Sequence, residues 1–129
     1  LPKKEKKIKQ RNRFFNYIVI MDDDALYLKE RTAKDIWIGL YDFPLIESEK
    51  KIESFNTISS TFEKSGLALE KKSLEFKHIL SHQKIYATFW LVTLKKTIEF
   101  DADYTKIPLS ELNNFPIPKL IDNYLQTIL

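Results

Sequence analysis

The sequence predicts an α+β domain in which a mixed β-sheet is packed between helices. Three observations carry this expectation. Apolar patterns follow one another in the order strands, helix, strands, helix. Two runs, 13–20 and 84–94, are apolar on both faces, as strands buried on two sides are. Two other segments, 49–64 and the stretch after Pro118, repeat their apolar residues at helical spacing.

Residues 1–10 read as a linker. The first strand holds Phe14, Phe15, Tyr17, Ile18, Val19 and Ile20. Asp22, Asp23 and Asp24 form a polar hairpin turn, because a calcium loop needs a spacing and a Gly that are missing. The returning strand, 25–30, points Leu26 and Leu28 one way. A loop over 31–39 leads to a short extended piece, 41–44. The helix over 49–64 carries Ile52, Phe55, Ile58 and Phe62 on one side, with Gly66 where a C-terminal cap belongs. Leu74, Phe76, His78 and Leu80 alternate with Glu75 and Lys77, so 74–80 is a half-exposed strand. After the polar break Ser81-His82-Gln83, the run 84–94 is the central strand. Pro108, Pro116 and Pro118 break up the segment after Asp103, with Ser110 capping a short turn through Leu112. Pro118 starts a final helix whose stripe is Leu120, Ile121, Tyr124, Leu125 and Ile128.

A chain of 129 residues, 43% hydrophobic, suits one domain with one core. The absence of Cys removes disulfides, zinc thiolates, iron–sulfur ligation and a thiol nucleophile from this chain. No apolar run reaches the roughly 18 residues that a membrane span needs, so no membrane partner is expected. The chain begins at Leu1 and not at Met, as a piece of a longer protein does. Charge is uneven. Residues 1–13 hold seven Lys or Arg and one Glu, a net +6, so the remainder sums to −3 in a chain of +3. The basic character therefore belongs to the arm, whose lysines either contact phosphates or simply solvate a leader.

Catalytic signals are sparse. No Ser–His–acid spacing appears, and two glycines, Gly39 and Gly66, cannot make a phosphate loop. His78 and His82 stand four apart, but a metal pair there lacks a third ligand, so no metal is expected. His78 reads instead as a hydrogen-bonded histidine on the core face.

Residues 31–44, RTAKDIWIGLYDFP, place an Arg six residues before Trp37, followed by Gly39-Leu40-Tyr41 and Phe43-Pro44. This resembles the C-terminal domain of the MutY family of adenine DNA glycosylases. Leu1-Pro2 and the basic run up to Arg13-Phe14-Phe15 are similar to that family's interdomain connector. His78, Ser81 and His82 match the segment written H-x-F-S-H, and 107–125 resembles the closing loop and helix. Leu80 stands where the family usually has Phe, which keeps apolar bulk without an aromatic ring. Lys84 stands where some members have a further His.

That domain is similar in fold to Nudix hydrolases, whose box is G-x5-E-x7-R-E-U-x-E-E-x-G-U. Aligning its last Gly with Gly66 puts Leu45 at the first Gly, Lys51 at the first Glu, Ser59 at the Arg and Ser60 at the next Glu. Glu63 keeps one acid of the final pair and Lys64 replaces the other. The expected fold is thus Nudix-like with a degenerate box, and no catalytic residue is assigned. An active Nudix hydrolase is the third reading, behind a catalytically dead protein-interaction domain.

The resemblance implies a basic connector over 1–12 and an 8-oxoguanine-recognition domain over 13–129. Ser81, His82 and Leu80 are its lesion-contacting residues, and Lys3, Lys4, Lys6, Lys7 and Lys9 its phosphate contacts. Oxidation makes N7 of guanine a donor and adds an acceptor at O8, and a Ser hydroxyl with its backbone N–H can meet both. The implied partners are duplex DNA with an 8-oxoguanine:adenine mispair and an N-terminal glycosylase domain carrying a [4Fe-4S] cluster. No cofactor belongs to this chain. A monomer in the bacterial cytoplasm, associated with the nucleoid, is expected.

Overall fold

A computed structural model describes residues 10–62, 66–95 and 103–129. The arm lysines Lys3, Lys4, Lys6, Lys7 and Lys9, and Glu63 and Lys64, lie outside the described residues. The two runs that are apolar on both faces become β1 (Arg11–Asp22) and β7 (Gln83–Leu94). They lie side by side and parallel, from Arg11 opposite Gln83 to Met21 opposite Thr93. The other strands are β2 (Ala25–Glu30), β3 (Tyr41–Asp42), β4 (Leu45–Ser48), β5 (Leu67–Lys72), β6 (Phe76–Leu80) and β8 (Thr105–Pro108). All their pairings are antiparallel: β2 and β4 with β1, β3 and β8 with β2, and β5 and β6 with β7. The sheet is mixed, as expected.

Alternation along the central pair divides the core in two. Phe15, Tyr17 and Val19 of β1, with Ile85, Ala87 and Phe89 of β7, face α2 (Lys119–Ile128) and its Leu120, Ile121, Tyr124 and Leu125. Ile18, Ile20, Trp90 and Val92 face the other way, onto Ile58 of α1 (Phe55–Phe62). The sheet is therefore packed between helices. Tyr124 stacks on Phe89 with ring centroids 4.0 Å apart, which fixes α2 on its face.

The Asp turn forms as expected. Asp23 and Asp24 have φ of 50° and 56°, the left-handed pair of a type I′ hairpin turn, which Asp tolerates better than most residues. Lys106 lies 3.2 Å from Asp22 and 3.6 Å from Asp23, so these acids are matched by a cation of the chain itself.

Several expectations are corrected. The helix over 49–64 begins only at Phe55. Leu45–Ser48 ahead of it is a strand, and Ile52 packs from the segment between the two, which has no regular structure. The Ser54 hydroxyl accepts the N–H of Asn56, a capping bond that starts the helix there. Leu74 is 87% exposed and does not join the buried face, because the strand starts at Phe76. Ser110 does not cap its turn: it lies inside a 3₁₀ helix, Leu109–Asn114, preceded by Pro108. Among the described residues no helix is long and apolar enough to cross a membrane.

Candidate nucleic-acid interface

Ser81 and His82 are the two turn residues of the β6–β7 hairpin, between Leu80 and its partner Gln83. Both are exposed. Neither has positive φ, so the turn is not the primed type whose twist suits a two-residue hairpin. Something else must hold the strands in register here, and the start of β1 does so. The Arg11 N–H donates to the His82 carbonyl at 2.9 Å, and the Gln10 side-chain amide donates to the Leu80 carbonyl at 3.4 Å. The described part of the chain thus begins against this turn, at the point where the basic arm joins.

Below the turn sits Arg13, only 5% exposed. Its five N–H groups all have acceptors. Two reach the carboxylate of Glu47 (2.9 and 2.6 Å), two that of Asp35 (2.9 and 2.8 Å), and one the Gln83 side chain (2.9 Å). Two forked ion pairs of this kind are strong and directional. They tie the base of the hairpin to β4 and to the loop after β2. The guanidinium raises its own pKa by these bonds, and holds the Asp35 carboxyl down at about 2. The Ile36 N–H, 2.7 Å from Asp35, acts in the same direction.

The loop carrying Asp35 is itself clasped. Arg31 donates to Asp42 at 2.8 Å, to Asp35 at 3.2 Å and to the Ile36 carbonyl at 3.1 Å. Its main chain closes the loop through Gly39 and Leu40. Trp37 has φ of 59°, a costly conformation for a bulky residue. Its ring is held edge-on between Phe15 (6.2 Å) and His78 (5.7 Å). Burial raises the pKa of Asp42 despite the Arg31 bond. The hydroxyl of Tyr17 is buried near Asp42, and burial, with the Asp42 charge beside it, pushes its pKa up. The segment 31–44 is therefore a clasp that positions other parts through Arg31, Asp35, Trp37 and Asp42, while its Thr32, Ala33, Lys34 and Ile38 are exposed.

The remaining candidates divide. Leu80 is half-buried against the main core, on the same side of the hairpin as Phe76 and His78. His78 packs against Trp37 and makes no side-chain hydrogen bond to a described residue, contrary to the hydrogen-bonded histidine expected. The exposed apolar residue beside the turn is Ile79, at 59%, which sequence reasoning misses. Strict alternation, which places Ile79 opposite to Leu80, is the signal that could have found it.

At the box, Lys51 is exposed and ion-pairs with Glu75 at 3.8 Å, and Ser60 is exposed on α1. Nudix hydrolases hold a divalent metal through box glutamates. The residues here do not fit that metal: Lys51 and Ser60 occupy ligand positions, and no group of three potential ligands occurs among the described residues.

The family profile of the NUDIX domain matches residues 16–127. The chain belongs to the NUDIX domain family. Solved structures similar to this Nudix domain include the C-terminal domain of mouse MUTYH in complex with human PCNA (TM-score 0.70, 13% identity, covering 90% of this chain and 86% of that one). The MutT Nudix hydrolase from Burkholderia pseudomallei is also similar (TM-score 0.66, 16% identity, 93% of this chain and 100% of that one). So is the E. coli ORF135 protein (TM-score 0.63, 15% identity, 91% and 88%). At these identities the likeness is one of fold. No curated protein sequence matches the chain significantly.

Proposed function

We propose that this Nudix domain recognises 8-oxoguanine opposite adenine in duplex DNA and directs adenine excision by a separate glycosylase domain. One observation carries the reading: the exposed Ser81-His82 turn stands on a hairpin that Arg11 and Arg13 fix, where a basic arm joins the fold. A reader of a base edge needs small polar groups on a rigid support, with cations nearby for phosphates. The Ser81 hydroxyl and main-chain N–H can face the altered N7 and O8 edge. The lysines Lys3, Lys4, Lys6, Lys7 and Lys9 precede the strand that leads to it. Excision of adenine belongs on this reading to the other domain, as does the iron–sulfur cluster, for which this chain has no Cys ligand.

A second reading is a protein-interaction domain. The MUTYH C-terminal domain was solved with PCNA, and a cavity of about 270 Å³ beside Leu74, Phe76, Tyr124 and Ile128 offers apolar surface here.

The deciding experiment measures binding of the chain to three matched duplexes, carrying 8-oxoguanine:adenine, guanine:adenine and guanine:cytosine. Tighter binding to the first supports recognition. Equal affinity for all three, or none for any, rejects it and leaves the interaction domain.

A further inference from the structure

The register of the hairpin assigns its outer face. Lys77 stands opposite Tyr86, and Ile79 opposite Lys84, on the side away from Phe76, His78 and Leu80. Across the parallel pairing, Asn12 lies beside Lys84, and Phe14 beside Tyr86. The same sheet face is covered by α1 only farther along, at Ile18, Ile20 and Trp90. Next to the turn it is open: Lys77 is exposed and Ile79 is 59% exposed. Phe14 and Tyr86 stack at 5.3 Å as its floor, with the Lys77 ammonium 5.8 Å from the Tyr86 ring.

The charge on this face is unmatched. Neither Lys77 nor Lys84 forms an ion pair with a described residue, and the nearby acid Glu75 is engaged by Lys51. As diagonal neighbours on paired strands, the two lysines stand about 7–8 Å apart at their Cα atoms. That is on the order of the distance between successive phosphates of one nucleic-acid strand, so each ammonium can meet one phosphate.

We infer that this outer face, with Lys77, Ile79 and Lys84, is a second contact surface of the domain for the sugar–phosphate backbone of duplex DNA. The two lysines take adjacent phosphates, and Ile79 lies against the sugar between them. Since Phe14 and Tyr86 occupy each other, the face offers no free ring for a base to stack on. Its contribution is therefore indifferent to sequence and lesion. The inference rests on the reading that the Ser81-His82 turn meets DNA, and it adds which side of the hairpin faces the backbone.

The test uses the whole chain with duplexes that do or do not carry 8-oxoguanine:adenine, at several salt concentrations. Lys77→Gln with Lys84→Gln keeps the side-chain stems but removes two phosphate contacts. The log–log salt slope should flatten by about 1.8, at about 0.9 for each contact, and equally on both duplexes. Lys77→Arg with Lys84→Arg should restore it. Thermal melting of each variant checks that the fold is intact. Ser81→Ala should do the opposite, changing the ratio between duplexes and not the slope. An unchanged slope in the Gln variant overturns the outer face while leaving lesion recognition standing. A flattened slope with a ratio that ignores Ser81→Ala upholds the face and rejects the turn as lesion reader. Absence of duplex binding by the parent chain at low salt overturns both.

Discussion

The main-chain N–H of Arg11 donates to the carbonyl of His82 at 2.9 Å, joining residues 71 positions apart in sequence. The bond places the end of a basic arm against a turn whose own geometry does not favour the hairpin. An arm and a turn that are separate in the sequence become neighbours in one surface. Arg13 completes the arrangement from below, so the support of the turn is electrostatic as well as apolar.

Replacing Arg13 should therefore cost more than a surface charge does. Arg13→Gln leaves Glu47 and Asp35 facing one another without their shared cation. Breaking a buried ion pair typically costs about 3–5 kcal/mol, and the partial exposure of the two acids argues for the lower end. Urea unfolding of the parent and variant measures it. A loss below about 1 kcal/mol would mean that the pairs behave as screened surface bridges.

The same network sets a pH dependence. The folded pKa of Asp35, about 2, lies below its ordinary 3.8, chiefly because Arg13 bonds the carboxylate. Its stabilisation is present above pH 3.8 and is lost as pH falls towards 2, and because Asp35 is exposed, solvent screening keeps the effect small. Asp42 acts with the opposite sign. Burial raises its folded pKa, so protonation on acidification relieves a penalty. Asp35→Asn should lower the melting temperature at pH 7 and make the decline between pH 4 and 2 shallower. An identical acid limb in the variant would place the proton uptake elsewhere.

The box leads to an expected absence of activity. With Lys51, Ser59, Ser60 and Lys64 at its charged positions, the chain should not hydrolyse nucleoside triphosphates with magnesium or manganese. Phosphate or pyrophosphate release measures this directly. Metal-dependent turnover that disappears on Glu63→Gln would show that one carboxylate suffices.

How far each element is legible in the sequence depends on how it is stabilised. β1, β7 and α2 bury continuous or periodic apolar residues, so their own composition reveals them. β5 has little inward-facing residue content beyond Leu67, ends in charged residues and carries a register shift between Leu69 and Lys71, which destroys alternation. β8 buries only Ile107 and ends on Pro108, and is a strand because β2 offers it an edge. The helix start is misread because Ile52 prolongs the apolar spacing of Phe55 and Ile58, which hides the boundary between β4 and α1. At the candidate site, the two-residue turn is readable from its polar break. The clamp is not, because Arg13, Asp35, Glu47 and Gln83 come from four separate segments and no local spacing links them.

Ser81→Ala is the sharpest test of lesion recognition. Ser81 is exposed at a turn, and its hydroxyl has no hydrogen-bond partner among the described residues, so its removal should leave the melting temperature unchanged. A hydrogen bond to the lesion is worth about 0.5–1.5 kcal/mol. Its loss should reduce the preference for 8-oxoguanine:adenine over guanine:adenine by about twofold to tenfold. The main-chain N–H of Ser81 survives the change, so the preference should weaken and not vanish. His82→Ala in addition should lower affinity for both duplexes if the imidazole meets a phosphate. It should not loosen the hairpin, since the bond that Arg11 makes is to the His82 carbonyl, which any residue supplies. Equilibrium titrations of parent, single and double variants on both duplexes separate these effects. A preference that survives Ser81→Ala undiminished, with binding intact, would assign the lesion contact to another part of the surface.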